Sequence, residues 1–319
     1  MKAAFQRLVA WYRERRRDLP WRHRSDPYAI LVSEIMLQQT RVEVVLAYYQ
    51  RFLERFPDWT SLAVASSEEL HAAWSGLGYY RRARNLQAAA RAVVERGGFP
   101  TDRVGLLALP GVGEYTAAAL ESIAFNRPAL ALDGNAIRVL WRFLALEGDP
   151  RQARVRRELA ARIEPQIEAP ADFTQALMEL GATVCKPANP ACLTCPLADD
   201  CAGKLRWREL PPPLRPQRSQ EVDWSAAVLL RPGQVFLEKA RPGELLEGMW
   251  RCPEAERLEG LELVGTVRHA ITFRRITCRV YRGQGEPPGR GEWVDLEDLT
   301  HRALPAFTRK VLRTAGLAV

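Results

Sequence analysis

The tightest constraint in this chain is a set of four cysteines, Cys185, Cys192, Cys195 and Cys201, spaced C-x6-C-x2-C-x5-C. Four thiolates in so short a stretch can close around one metal centre. No histidine lies between them, and none of the four histidines in the chain is paired at zinc-finger spacing. Four-thiolate ligation suits structural zinc or an iron–sulfur cluster. The uneven gaps lack the two C-x2-C pairs of a zinc ribbon, which favours a [4Fe–4S] cluster. Two disulfides are the alternative. No signal peptide is recognisable, so a reducing cytosol is expected, and that environment argues against disulfides.

A length of 319 residues allows two domains, each with its own core. The formal net charge of +8 favours a polyanionic partner without specifying nucleic acid. No apolar run approaches the roughly 20 residues needed to span a bilayer. The N-terminal stretch places Phe5, Leu8, Val9 and Tyr12 on one helical face but is too charged for a secretory signal. The expectation is a soluble cytoplasmic, nucleoid-associated protein with no membrane partner. No dimerisation motif is evident, so a monomer is expected. The basic residues are almost all arginine, and residues 3–185 contain no lysine.

Residues 1–207 read as helical throughout, with apolar residues recurring at helical spacing, as in Val45, Tyr48, Tyr49 and Phe52. Ser66 followed by Glu69 has the form of a capping box. Gly97-Gly98-Phe99-Pro100 ends another helix. Residues 208–222 are rich in proline and charge and read as a stiff linker. Beyond it, Ala226–Leu230, Val235–Leu237 and Ile276–Tyr281 are short β-rich runs separated by Pro-Gly turns, and residues 297–314 can close the domain with helix. Residues 223–319 are therefore expected to form an α+β domain.

LLALPGVGEYTAAAL (106–120) reads as helix, glycine hairpin, helix. Gly111 and Gly113 let the backbone turn tightly, and the free N–H groups opening the second helix can hold a phosphate oxygen. An ordinary packing corner is the alternative. A dinucleotide-binding turn fits less well, because no strand precedes the glycines and the third glycine is missing.

A hairpin of this kind followed by the four-cysteine loop resembles the endonuclease III superfamily of DNA base-excision glycosylases. SEIMLQQT (33–40), WSGLGYYRRARNL (74–86) and LDGNAIRVL (132–140) are similar to its MutY-type adenine glycosylases. The resemblance spans residues 1 to about 205. It implies an all-α helix-hairpin-helix domain with a [4Fe–4S] loop. It further implies cleavage of the N-glycosidic bond of adenine mispaired with 8-oxoguanine or guanine in double-stranded DNA.

That bond needs protonation of the leaving base and stabilisation of an oxocarbenium-like sugar, tasks shared by a paired acid and carboxylate. The resemblance makes Glu34 the group that protonates adenine at N7 and then activates water. Its apolar neighbours Ile30, Leu31, Ile35, Met36 and Leu37 are expected to raise its pKa by desolvation. Asp133 is the expected sugar-stabilising carboxylate. By itself it reads as a helix N-cap, whose N–H bonds and dipole are expected to keep it ionised. Asn135 would orient the carboxylates or water. Tyr115 stands where bifunctional members carry the Schiff-base lysine, so a monofunctional enzyme with little or no lyase activity is expected. Gln39 and Tyr79 match the wedge residues that enter the duplex, and Trp21, Arg22, Leu37, Gln175 and Met178 match positions lining the adenine pocket. Lys186, Lys204 and Arg206 are expected to contact phosphate beside the cluster.

Residues 223–319 resemble the MutT-like, Nudix-fold C-terminal domain of these enzymes. LLEGMWRCPEAE (245–256) echoes its L-x-G-L-W-E-F-P segment, but the glutamate-rich magnesium helix of a Nudix hydrolase is missing. A reader of 8-oxoguanine is therefore expected. Ile271-Thr272-Phe273 aligns with the Phe-Ser-His turn of relatives. Thr272 keeps the hydroxyl and Phe273 replaces the histidine, with His269 nearby. The competing readings are a bifunctional oxidised-pyrimidine glycosylase, a non-catalytic iron–sulfur DNA-binding protein and a nucleotide hydrolase.

Overall fold

The computed structural model describes residues 1–212, 219–241, 243–244, 246–255, 260–271, 273–287, 290–300, 302 and 304–319. Compactness divides the chain into Met1–Ala65 with Arg81–Arg215, and Ser66–Tyr80 with Pro216–Val319.

The first unit is helical: α1 (Lys2–Arg15), α2 (Pro27–Leu37), α3 (Val42–Arg55) and α4 (Trp59–Val64) precede residues 66–80, which carry α5 (Ser67–Trp74). After them come α6 (Arg81–Glu95), α7 (Arg103–Leu107), α8 (Glu114–Ala119), α9 (Gly134–Phe143), α10 (Ala153–Ile163) and α11 (Pro170–Thr183). Local chemistry sets many of their ends. Asp26 caps α2 by accepting from the Ala29 N–H at 2.8 Å, with Pro27 in the first turn. The capping box expected at Ser66 and Glu69 opens α5, and a second one, Asp58 with Ser61, opens α4. Gly97 takes a φ of 78° just past α6.

Two features of this unit position the site. α2 is buried from Tyr28 to Met36 with no polar face, so any titratable group on it loses water. The apolar stripe of α1 found in the sequence packs Phe5, Leu8 and Tyr12 into a core with Leu140, Trp141, Phe173 and Leu177, which joins α1, α9 and α11. α11 approaches the start of α9 so closely that a Cβ on Gly181 would lie 2.5 Å from the Cβ of Asn135. Only glycine fits there.

In the second unit, β1 (Gln220–Arg231), β2 (Gln234–Lys239), β3 (Trp250–Arg251), β4 (Leu261–Ile271), β5 (Arg274–Gly283) and β6 (Glu292–Asp295) form one mixed sheet, followed by α12 (Ala306–Thr314). The strand order is β3-β2-β1-β5-β4, with β6 also on β2. β1 and β5 run parallel from Gln220↔Arg274 to Leu229↔Gly283. Trp224, Val228, Ile276 and Val280 pack with Phe307 and Val311 of α12. The expected runs 226–230, 235–237 and 276–281 all lie in strands. β1 begins three residues before the expected domain start at 223. β4 has no counterpart among the expected strands. Ile271, read as the first residue of the recognition turn, is the last residue of this strand. Ile271 pairs with Arg274 where β4 gives way to β5 at a hairpin tip, and Phe273 sits in a turn there. His269 is not at that tip; its ring stacks on Phe307 at 5.4 Å.

Candidate active site

A cavity of about 770 Å3 opens in the helical unit, within the range that takes a base-sized ligand. Glu34, Tyr115, Asp133, Asn135, Gly111 and Gly113 all line it. So do Trp21, Arg22, Leu37, Gln39, Gln175 and Met178. Residues from α2, α8, α9 and α11 thus reach one space although 144 positions separate Glu34 from Met178 in the sequence. Tyr79 is not among the lining residues. It belongs to the segment that groups with the second unit, is 43% exposed and has a φ of 48°. Thr272 lies outside the described residues. Phe273 is 41% exposed at the hairpin turn.

Glu34 is 6% exposed on the apolar helix α2. Burial pushes its carboxyl up to about 7; the nearby Asp133 charge adds to the rise, and a hydrogen bond from Tyr115 opposes it. That bond runs from the Tyr115 hydroxyl to Glu34 Oε2 at 2.5 Å. Burial, reinforced by the Glu34 and Asp133 charges, raises the Tyr115 phenol well above its ordinary value, so it stays protonated and donates. The result is a carboxyl that holds its proton near neutral pH and can release it into the cavity.

Asp133 caps α9 as its sequence suggested: Oδ1 accepts from the Ala136 N–H at 2.6 Å and Oδ2 from Asn135 Nδ2 at 3.0 Å. The cap does not, however, give it a lowered pKa. Burial outweighs these bonds and the Arg138 charge, and leaves the carboxyl above its usual range. The cap hydrogen bonds limit the rise, but they do not produce the depressed value that an exposed N-cap would have.

Asn135 is held in turn. Its Oδ1 accepts from Arg138 Nη2 at 2.8 Å, and the same guanidinium donates to the Gly181 and Cys185 carbonyls at 2.7 Å each. One turn further along α9, buried Arg142 donates to the carbonyls of Lys186 at 2.7 Å, Pro187 at 3.0 Å and Leu210 at 2.9 Å. Its Nη1 lies 3.5 Å from Cys185 Sγ. Successive turns of one helix therefore hold the carboxylate end and the cysteine loop.

Cys185, Cys192, Cys195 and Cys201 are free and half-buried, and they line one cavity of about 30 Å3. No carboxylate or imidazole shares that lining, so the donor set is all thiol. Burial, with the neighbouring thiols adding, pushes the Cys195 thiol up to about 11. Among the described residues, no three His, Cys, Asp or Glu side chains are gathered for a single ion. Tetrahedral zinc would need sulfurs about 3.8 Å apart, given Zn–S bonds near 2.3 Å. Four thiols around one small cavity, with no other donor, fit a four-thiolate metal group. Beside it, Arg206 departs from expectation: its fork is committed to Glu147 and Glu209, each at 2.9 Å, whereas Lys186 and Lys204 are exposed.

At the glycine hairpin, Gly111 has a φ of 80°, and a Cβ there would lie 2.7 Å from the Asn85 Cβ. Gly113 caps α8, which runs into a π-turn over Leu120–Ala124. A helix that opens this way has first-turn N–H groups without helical acceptors, as phosphate binding requires.

Glu179 and Arg156, which sequence reading passed over, and Tyr12, read there only as part of an apolar helix face, bear on this site. Glu179, 1% exposed on α11, accepts from Arg22 Nη2 at 2.6 Å and Arg17 Nη2 at 2.8 Å. Burial alone would raise its carboxyl, but the two guanidiniums outweigh burial and hold it at about 2. Tyr12 donates to Gln175 Oε1 at 3.1 Å and carries Arg22 over its ring at 5.3 Å. Arg156 also lines the cavity. The arginine partners of Glu179 and the Gln175 partner of Tyr12 lie far away in sequence, and only the ion-pairing demand of a buried glutamate could have signalled one of them.

Comparison with known proteins extends this picture. Residues 32–165 match the family described as HhH-GPD superfamily base excision DNA repair protein, and residues 225–314 match the NUDIX domain. An adenine DNA glycosylase of Homo sapiens is 33% identical over 397 aligned positions, which cover 96% of this chain and 72% of that protein. One from Mus musculus is 46% identical and covers 96% of this chain and 76% of its own length. Among solved structures, a thermostable thymine-DNA glycosylase is 30% identical with a TM-score of 0.59, covering 64% of this chain and 96% of its own. Among the described residues no helix is long and apolar enough to cross a membrane. With its helical domain, its strand-rich C-terminal domain and relatives that extend over both, this chain belongs to the adenine DNA glycosylases, the DNA N-glycosylases of base excision repair.

Proposed function

We propose that the protein hydrolyses the N-glycosidic bond of adenine opposite 8-oxoguanine or guanine in duplex DNA, as a monofunctional enzyme that leaves an abasic site. The observation that carries this reading is the convergence of Glu34, protonated up to about pH 7, and Asp133 on one cavity.

The duplex is held at phosphates by the N–H groups behind Gly111 and Gly113. Adenine is extruded, with Gln39 and Tyr79 filling the space it leaves. Trp21, Leu37 and Met178 offer apolar walls, while Arg22 and Gln175 offer polar ones. Glu34 donates its proton to adenine N7 as the bond to the sugar breaks, and the electron pair of that bond leaves with the base. Asp133, oriented by Asn135, stabilises the positive sugar. Glu34, now ionised, takes a proton from the attacking water. Tyr115 supplies no amine, and residues 3–185 contain no lysine, so no Schiff base forms there and the strand stays intact.

Cys185, Cys192, Cys195 and Cys201 would hold a [4Fe–4S] cluster. When bound, such a cluster cross-links the loop and fixes the basic residues beside it; no step of the cleavage passes through it. Residues 1–207 form the catalytic domain, and the domain that begins with β1 at Gln220 reads the base opposite adenine. By the resemblance, Thr272 and Phe273 take the part of the reading residues.

The test is a duplex with a single 8-oxoguanine:A pair, incubated with the protein and analysed with and without hot alkali. Cleavage of the adenine strand only after alkali supports the proposal. No alkali-labile site refutes catalysis, and cleavage without alkali refutes the monofunctional reading.

A further inference from the structure

Gln39 occupies the left-handed region of the backbone, with a φ of 57°, immediately after α2 ends. Glycine normally takes such a position, because a Cβ is disfavoured there. The end of α2 also leaves carbonyls without helical partners. Both problems meet in one side chain from another helix. Arg82, on α6 and 9% exposed, donates from Nη1 to the carbonyls of Ile35 at 2.9 Å, Met36 at 2.8 Å and Gln38, and from Nη2 to Thr40 Oγ1 at 2.9 Å. The acceptors lie on both sides of Gln39 in the chain. A planar guanidinium can bind them together, whereas a lysine ammonium has fewer donors and no fixed fork.

We propose that Arg82 is a positioning residue for adenine extrusion. By fixing the backbone on either side of Gln39, it keeps that residue in its left-handed conformation, with its side chain at the wall of the active-site cavity. Without the guanidinium, the freed carbonyls of α2 favour a longer helix or a relaxed turn. Position 39 then returns to negative φ and its side chain swings away. The inference rests on the reading above in which Gln39 fills the gap left by the extruded base. It adds the element that gives the wedge its direction before DNA arrives.

The test uses the full-length metal-loaded protein and a duplex carrying 2-aminopurine beside the target adenine, opposite 8-oxoguanine. Fluorescence reports unstacking, and single-turnover adenine release reports the overall rate. Gln39→Ala, Arg82→Lys and the double variant are compared. The expected result is a tenfold or greater loss of both signals in each single variant, with the double variant no worse than the weaker single one. The pH at which activity declines stays unchanged in Arg82→Lys, because Glu34 keeps its surroundings. Three outcomes overturn the proposal in separable ways. If Gln39→Ala alone leaves unstacking intact, the wedge reading fails. If Gln39→Ala impairs unstacking and Arg82→Lys does not, the wedge stands and the positioning role falls. If the two losses multiply in the double variant, Arg82 acts through the fold rather than through Gln39. Thr40→Val, which removes only the Nη2 acceptor, carries the same comparison should Arg82→Lys not fold; full unstacking in that variant counts against the proposal.

Discussion

The hydroxyl of Tyr115 donates to Oε2 of Glu34 at 2.5 Å, and this bond is the main restraint on a carboxyl that burial has pushed up to about 7. Tyr115→Phe removes the donor and leaves the burial. The Glu34 pKa then rises further, so the fall of single-turnover adenine release with increasing pH moves to higher pH, by about 1 unit. An unmoved profile, or one moved to lower pH, shows that Tyr115 does not set the acid's strength.

Glu34 also costs the protein stability. Its folded pKa, about 7, lies above the ordinary 4.5. Between those values the folded state binds more protons than the unfolded state, so stability falls as pH rises through that window. Glu34→Gln keeps an acceptor for Tyr115 and removes the charge. Urea denaturation should show a gain of about 1–3 kcal/mol at pH 8 that shrinks toward pH 4.5. An equal change at both pH values contradicts the desolvation argument.

Glu179 behaves with the opposite sign. Arg17 and Arg22 hold it at about 2, so its contribution is complete above about 4.5 and is lost as pH falls toward 2. Glu179→Gln leaves Arg22, whose side chain is 6% exposed, without its counter-charge. A loss of about 3–5 kcal/mol at pH 7 is expected by chemical denaturation, narrowing below about pH 4.5. Adenine release should slow as well, because Arg22 forms part of the cavity wall. Native stability in this variant at pH 7 contradicts the ion-pair account.

The two hairpin glycines should respond differently. Gly111→Ala places a Cβ in the left-handed region and against Asn85, which costs about 1–2 kcal/mol or more and weakens binding to duplex DNA. Gly113 has a φ of −101° and open space around its Cβ position, so Gly113→Ala should fold normally. Thermal unfolding and DNA titration at fixed salt check both. Equal tolerance at the two positions contradicts the close approach at Gly111.

Much of the site was legible because local patterns carry it. The apolar run around Glu34 foretold a buried acid. The position of Asp133 before Gly134-Asn135 foretold a cap, and Gly111 with Gly113 foretold the hairpin. The twelve expected residues that line the cavity came largely from motif resemblance, which encodes three-dimensional proximity that spacing alone does not. What sequence could not show are balances and long-range partners. Asp133 has both cap bonds and burial, and only the packed structure decides that burial wins. Arg82, Glu179 and Gly181 act across 42 or more positions of sequence, on Thr40, Arg22 and Asn135 respectively, so no local window contains both partners. β4 was missed because its pattern is weak: most of its residues stay partly exposed, and Val267 is its one fully buried apolar position.

The central claim is that a buried, protonated Glu34 supplies the proton that releases adenine. Its most direct test is the pH dependence of single-turnover adenine release from an 8-oxoguanine:A duplex, measured for the native protein beside Glu34→Gln. The account predicts a rate that declines as pH rises through about 7 in the native protein, and a rate about 100- to 10,000-fold lower without that decline in Glu34→Gln. A native profile flat from pH 5 to 9, or a Glu34→Gln variant that releases adenine at the native rate, would contradict it.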